Sequence, residues 1–549
     1  MQIALVTKRR TDTLVKTRGG RAVLLMLAAS RRFTARYRKT TCLVVAAFPV
    51  IVRLSLLPYL PIPEPEIHDE FSYLLGADTF ASGRLANPMH PMWVHFETFH
   101  INSQPTYVSK YPPAQSLFLA LGQKVFGHPW YGVLISISVM CACICWMLQG
   151  WLRPHYALLG SLFAIADFGV FNYWVNSYWG GAVPAAGGAL VLGGLARLVR
   201  RESASAAVLG ILGMVLLANS RPYEGMVLTI ACCAALVWWR KRRGRSLRTL
   251  LSKPVVVPCV VLISSAGIWF GYYNWRTTGK PWLMPYVINQ RTYAITPPFW
   301  LLPEGPMLTY RHEILRQIWS DWCREGYSRI RAHPTLLLAK LQDVLSTSHS
   351  AAVRLLLLIA VLLVPTRRVG VALAITAVFT FGVLMLVTVL PHYYAPGTGL
   401  LYFLASAGTQ QLMVGLRKQG VIRRTFTGLL FGGLFLSALL ANARHDIQPR
   451  SGLPVDRPKM IRTLLEQGSN HLVFVRYAPS HNPHQDWVYN RADIDKSDIV
   501  WARDMGAAAN RELLEYYPNR TAWLLEPDAE QGQRLQPYPE ERDGSRPDR

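Results

Sequence analysis

Charge is scarce in this chain. Only 16% of its 549 residues are charged, where a soluble protein of that length carries about a quarter. Acidic residues are the scarcer kind, 32 Asp and Glu against 58 Lys and Arg, for a net charge of +26. The deficit excludes an ordinary soluble domain, because 51% of the chain is apolar and much of that is gathered in long runs. A pI near 10.0 can mark a nucleic-acid binder. Here the basic residues stand mainly in short runs between apolar segments, which is orientation charge, and no nucleic-acid partner is expected.

Cysteine is also sparse. Cys42, Cys141, Cys143, Cys145, Cys232, Cys233 and Cys259 lie within apolar segments, which leaves Cys323 alone outside them. The separated pairs of a zinc site are missing, and Cys323 has no outer partner with which to form a disulfide. Lys8, Arg9, Arg10, Lys16, Arg18 and Arg21 precede a short apolar stretch, Ala22 to Ala29, which ends at Arg31-Arg32 without a small-residue cleavage pattern. Residues 1–40 therefore read as a basic cytoplasmic tail and not as a signal peptide. Gly279-Lys280 is no phosphate loop, since Pro281 follows and no glycine stands at the required spacing before it. No repeat of fixed period is present.

What the chain has is apolar length. A helix needs about 20 apolar residues to cross a hydrocarbon core, and eleven segments approach this: 41–60, 129–151, 155–174, 182–199, 203–218, 223–239, 254–275, 351–364, 369–390, 395–416 and 425–443. With the N-terminus inside, the inner short connections hold Arg153; Arg197, Arg200 and Arg201; the run from Arg240 to Arg248; Arg367 and Arg368; and Arg417, Lys418, Arg423 and Arg424. The outer short connections hold only Arg221. Because retained positive charge sets orientation, an odd number of spans with the C-terminus outside is expected.

Three large pieces then lie outside, and long loops are candidate active-site regions. The first, 61–128, opens with Glu64, Glu66, Asp69 and Glu70, and the second, 276–350, is basic. The third reads as a small α/β domain over 444–528. Its expected elements are a helix from Pro458 to Gln467, strands His471–Tyr477 and Asp498–Arg503, a helix Ala507–Tyr516 and a strand Ala522–Leu525, with 529–549 as a disordered tail.

The chemistry-bearing stretch is His68-Asp69-Glu70-Phe71-Ser72-Tyr73, on a helix running to Ser82-Gly83, followed later in the same loop by Tyr107-Val108-Ser109-Lys110-Tyr111-Pro112-Pro113. Tyr273-Asn274-Trp275-Arg276-Thr277-Thr278-Gly279-Lys280-Pro281 and Pro391-His392-Tyr393-Tyr394-Ala395-Pro396 stand at the starts of later segments. Together these resemble the protein O-mannosyltransferase and lipid A aminoarabinose transferase superfamily, which has the GT-C fold of lipid-dependent glycosyltransferases, over residues 40 to 440. Relatives often place Glu before the loop lysine and run directly into Pro-Pro; here Ser109 precedes Lys110 and Tyr111 intervenes.

The resemblance implies an all-α polytopic membrane protein of about eleven transmembrane helices over 41–443, with the small external α/β domain appended. It implies an inverting glycosyltransferase of the bacterial inner membrane that takes a hexosyl or pentosyl group from a polyprenyl-phosphate sugar donor. The acceptor would be a lipid, glycan or protein. Asp69 is the expected base, with Glu70 as second catalytic carboxylate. Tyr73, Tyr107, Lys110, Arg221, Arg291, His392 and Tyr393 are the expected substrate contacts. No metal ligands are assigned, although a divalent metal is compatible.

Other roles compete for the same residues. Asp69 is suited to cap a helix beginning at Glu70, Lys110 to snorkel at the interface, and Arg221 to pair with Glu224. His68, His90, His95 and His100 lack the i, i+4 spacing of helical metal ligands and read as surface or core histidines. Asp167, inside an apolar segment, is either functional or hydrogen-bonded. The rival function is a transporter or lipid flippase, which would show paired broken spans in matching halves; none is seen.

Overall fold

The computed structural model describes residues 28–363, 366–415, 432–433, 435–440, 443, 456–468, 470–529 and 534–539. Helix α1 (Arg38–Ser55) leads into the first long connection. That connection holds α2 (His68–Ala81), the short strands β1 (Asn87–Pro88), β2 (Ile101–Asn102) and β3 (Thr106–Ser109), and α3 (Ala114–Phe126). Six helices follow: α4 (Trp130–Trp151), α5 (Pro154–Phe168), α6 (Ala182–Leu198), α7 (Ala204–Ala218), α8 (Pro222–Arg242) and α9 (Lys253–Thr278). The second long connection contains α10 (Pro285–Tyr293), α11 (Cys323–Ala332) and α12 (Leu336–Ser348), before α13 (Ala351–Leu363), α14 (Arg367–Leu384) and α15 (Thr398–Gly415). The C-terminal part comprises α16 (Asp456–Glu466), β4 (His471–Val475), β5 (Ile499–Arg503), α17 (Ala507–Tyr516), β6 (Thr521–Leu525) and β7 (Leu535–Pro537).

Each of the first ten apolar segments coincides with a helix, but the count of eleven crossings is not confirmed. Among the described residues four helices, α4, α8, α9 and α14, are long and apolar enough to cross a membrane, and a fifth crossing is added if the pair Leu336–Thr347 and Ala351–Leu362, bent by 117°, counts as one. The eleventh segment falls largely outside the described residues. Two of the segments are helical over only part of their length. The segment 155–174 stops being helical at Phe168, beyond which turns carry Tyr173 and Tyr178, and the segment 395–416 begins in a 3₁₀ turn, Pro391–Gly397. Non-helical backbone at such ends is tolerated where it is buried in protein or lines a cavity, and these ends build the site below.

The core is centred on α4, where Ile137, Cys141, Ile144 and Leu148 are fully buried at helical spacing. All eight cysteines are free. The helices approach closely: a Cβ on Gly188 of α6 would lie 1.9 Å from the Pro396 carbonyl oxygen. Arg53, fully buried at the end of α1, donates to Asn176 Oδ1 (2.8 Å) and to the Leu60 and Pro61 carbonyls (2.7 and 2.9 Å), which fixes the exit of the chain into the first connection.

The C-terminal elements form a four-stranded sheet of order β5-β4-β6-β7, parallel except for β7. The expected order of helices and strands is found, with β7 an addition inside a tail expected to be disordered; residues 530–533 and 540–549 lie outside the described part. This unit does not stand apart. Its Leu472, Phe474, Tyr489 and Val500 share one apolar core with Phe71, Leu75, Phe96 and Tyr107 of the first connection. A buried ion pair reinforces the joint. Asp486 takes two hydrogen bonds from Arg503 (2.7 and 3.3 Å) and one each from Thr98 (2.7 Å) and Tyr477 (2.6 Å), while Arg503 Nε donates to the Glu97 carbonyl at 2.7 Å.

Candidate active site

The antiparallel register of β2 and β3 builds the first half of the site. Ile101 pairs with Ser109, so the flanking His100 and Lys110 face each other, with the Lys110 amide donating to the His100 carbonyl at 3.0 Å. Their side chains meet at 2.6 Å between Lys110 Nζ and His100 Nδ1. Ser72 on α2 bonds both to the His100 carbonyl (2.6 Å) and to Ser109 Oγ (2.8 Å), which fastens the ribbon to the helix that carries Asp69. His100 holds a positive φ of 60°, a sparsely populated conformation for a residue with a Cβ.

Asp69 does not cap its helix. The N-cap is Ile67, and Asp69 lies in the first turn with 16% of its side chain exposed. The Tyr111 hydroxyl donates to its Oδ1, while Oδ2 lies 2.9 Å from His68 Nδ1 and 3.8 Å from His100 Nε2. Burial opposes its charge, but His100, His68 and Lys110 outweigh burial and hold the carboxyl well below the usual range. Lys110 is buried among the rings of Tyr111, Tyr286 and Trp319, with Nζ 5.0, 5.6 and 5.4 Å from their centroids. It is not a snorkelling lysine: burial pushes its amine down to about 8 although Asp69 pulls the other way.

Later connections supply the second half. Arg221 stacks on Tyr393 at 4.0 Å and pairs with Glu224 at 3.7 Å, the salt bridge expected of them. Both Asp69 and Arg221 act electrostatically on Tyr73, His392 and Tyr393, so the two halves lie near one another. Tyr73 stacks on Tyr111 (4.5 Å between centroids). His392 is buried, within hydrogen-bonding distance of Tyr173 Oη (3.2 Å) and against Trp179, and burial with Arg221 holds its ring well below the usual histidine range.

Two expected site residues are used elsewhere, and a third stands apart. Glu70 turns its carboxylate to backbone amides of Glu66 (2.7 Å), Ile67 (3.2 Å) and Tyr178 (2.9 Å), tying the entry of α2 to the turns after α5. Burial still pushes its carboxyl up to about 7. Tyr107 belongs to the core shared with the C-terminal unit and donates to the Asn490 carbonyl at 3.2 Å. Arg291 is exposed on α10.

The residues that sequence reading passed over are Tyr111, His68, His100, Tyr286, Trp319 and His484. The adjacent Lys110-Tyr111-Pro112-Pro113 pointed to Tyr111. His68 and His100 read from the sequence as surface or core histidines and His484 gave no signal, because their partners come from separate segments. His90 and His95 go elsewhere, to Asp495 and Tyr517 (3.0 and 3.1 Å) and to the Arg503 carbonyl (3.2 Å). Asp167 is hydrogen-bonded, accepting from Tyr402 at 2.8 Å and from the Ser350 amide at 3.2 Å.

No protein-family model and no curated protein sequence matches the chain. Solved structures do. The oligosaccharyltransferase of Archaeoglobus fulgidus in its apo form superimposes with a TM-score of 0.50 at 10% identity, over 89% of this chain and 69% of that one. This chain has the GT-C fold. Below that level of similarity, ArnT from Cupriavidus metallidurans in the apo state matches at a TM-score of 0.47 and 14% identity, over 88% of this chain and 93% of that one. The mycobacterial arabinofuranosyltransferase AftD matches at 0.39 and 15%, over 84% and 31% of the two chains. Within the GT-C fold, the charged cluster lies on the first long connection and on the non-helical ends of the bundle helices.

Proposed function

We propose that this membrane protein is an inverting glycosyltransferase that moves a sugar from a polyprenyl-phosphate carrier to an acceptor hydroxyl outside the membrane. The observation that carries the reading is the carboxylate of Asp69 beside the buried Lys110, with Arg221 near enough to act electrostatically on Lys110 and on His392. A departing lipid phosphate is anionic at neutral pH and needs no general acid. It needs cations to receive it and a base for the acceptor.

Asp69 takes the acceptor's proton as the acceptor oxygen bonds to the anomeric carbon. The bond from that carbon to the phosphate oxygen breaks on the opposite face, which inverts the centre. Lys110 and Arg221 receive the freed phosphate anion, and Tyr73, His392 and Tyr393 wall the space between them. In this reading the C-terminal unit is external, the N-terminus is cytoplasmic, the membrane is a bacterial inner membrane, and the full set of eleven spans is retained as part of the proposal. The GT-C fold and the sequence resemblance both support this reading.

The test is transfer by the purified protein from a panel of lipid-phosphate sugars, read as release of free lipid phosphate. Asp69→Asn, shown to be folded and inserted, should lose about 10²–10⁴-fold in rate, the usual worth of a positioned base. Transfer at the wild-type rate by that variant would overturn the proposal.

A further inference from the structure

We infer that a cavity on the far side of α2 from Asp69 binds the headgroup of a zwitterionic phospholipid, with the phosphate on Arg457 and the ammonium at Asp498. Helical spacing divides α2 between two sites. Asp69, Ser72 and Tyr73 meet Tyr111 and Ser109 on one side. Phe71, Leu74, Leu75 and Asp78 line a cavity of about 380 Å³ on the other, which α16 and β5 of the C-terminal unit close. That volume lies in the range of small-ligand sites, roughly 300–1,000 Å³.

The charges at this cavity are unmatched. The Arg457 guanidinium lies 4.8 and 5.2 Å from the ring centroids of Phe71 and Trp501, and its Nη2 donates to the Tyr489 carbonyl at 3.2 Å. Its Nε is buried without an acceptor, and among the described residues Arg457 makes no ion pair. A buried charged donor of this kind calls for an acceptor from outside the chain, and a guanidinium suits a phosphate. Burial pushes the group down to about 10, a direction that an anion at Nε would oppose. Asp78 is not free to neutralise it, since it already accepts from Arg491 (3.3 Å), Gln123 (3.2 Å) and the Ala492 amide (2.9 Å). Asp498, exposed beside the cavity, makes no side-chain bond or ion pair among the described residues. One unmatched cation and one unmatched carboxylate, not paired with each other, complement a ligand that carries both signs.

The surroundings point to a lipid as the bearer of those charges. Leu74, Ile461 and Leu465 add apolar lining, and Leu465 is 45% exposed. Gly127, which ends α3, and Pro129, directly before the membrane-crossing α4, also line the cavity. Along α3, Leu117, Leu121 and Val125 are exposed at four-residue spacing, an apolar stripe suited to the lipid interface. A phospholipid brings acyl chains to such a surface, which a soluble zwitterion does not. Asp69, Lys110 and Arg221 take no part, so the site does not depend on the transferase reading.

The experiment uses the full chain, delipidated in non-ionic detergent and titrated with defined lipids under native mass spectrometry. Phosphatidylethanolamine should occupy one saturable site, about 10-fold or more tighter than phosphatidylglycerol or diacylglycerol. Arg457→Met, which keeps a side chain between the two rings, should weaken binding by about 10–100-fold, the worth of a hydrogen bond to a charged group. Asp498→Asn should abolish the preference for phosphatidylethanolamine over phosphatidylglycerol. Leu465→Trp, an exposed substitution at the cavity, should obstruct the lipid with Arg457 intact, and Lys459→Met, an exposed cation elsewhere on α16, should bind as the wild type does. Circular dichroism on each variant separates lost binding from lost folding. Equal affinity for all three lipids, or wild-type affinity in folded Arg457→Met and Leu465→Trp, overturns the site. Saturation by inorganic phosphate without retained lipid overturns it as well, as does an unchanged lipid preference in Asp498→Asn.

Discussion

Replacing Asp486 with Asn tests how the C-terminal unit is held to the rest of the protein. Asp486 is fully buried and opposes an Arg503 that is 3% exposed. The substitution keeps the shape but removes the charge, so a guanidinium is left buried without its counter-ion. Breaking a buried pair in this way costs about 3–5 kcal/mol. Two further donors, Thr98 and Tyr477, keep an acceptor in the Asn side chain, so the lower end of that range is expected. A loss of about 3 kcal/mol raises the open population roughly 10²-fold. The assay is limited proteolysis of the protein in detergent with reclosing fast relative to cleavage, where the cleavage rate follows that population. The double variant D486N/R503M, which lacks the orphaned cation, should be less destabilised than the sum of the two single variants by about 0.5–3 kcal/mol. A D486N rate within about threefold of wild type would refute the reasoning. Since His484 is two residues away and meets His68, loosening the joint should also reduce sugar transfer.

Tyr111→Phe removes the hydroxyl that donates to Asp69, and a hydrogen bond to a charged group is worth about 1.5–3 kcal/mol; kcat/KM should fall about 10–100-fold, and an unchanged value would remove Tyr111 from the site. Glu70→Gln offers one acceptor oxygen to three backbone amides and should destabilise the protein by about 1–3 kcal/mol while folded molecules keep their transfer rate. Loss of transfer in fully folded Glu70→Gln would return that carboxylate to the chemistry. Gly188→Ala drives a methyl into the Pro396 carbonyl and should cost about 1–3 kcal/mol by overpacking, with weaker substrate binding as His392 and Tyr393 shift; thermal unfolding and KM together check this.

Local pattern determined much of this protein. Apolar runs of sufficient length dictated where the helices lie, because a hydrocarbon solvent forces the backbone to bond within each segment. The Asp69, Lys110, Arg221 and His392-Tyr393 stretches were legible as candidate site residues, and the order of C-terminal helices and strands was legible too. Such signals lie within a few residues of chain. Tertiary structure alone decided what those residues touch. The register of β2 and β3 set His100 against Lys110, and the fold of α2 onto that ribbon brought His68 and His100 to one carboxylate. Glu70 was drawn away because the turns after α5 needed an acceptor for the amide of Tyr178, more than a hundred positions along the chain. The C-terminal unit became part of the site because its sheet buries an apolar face that the first connection covers, and burial of that kind is a property of two surfaces, not of either sequence read alone.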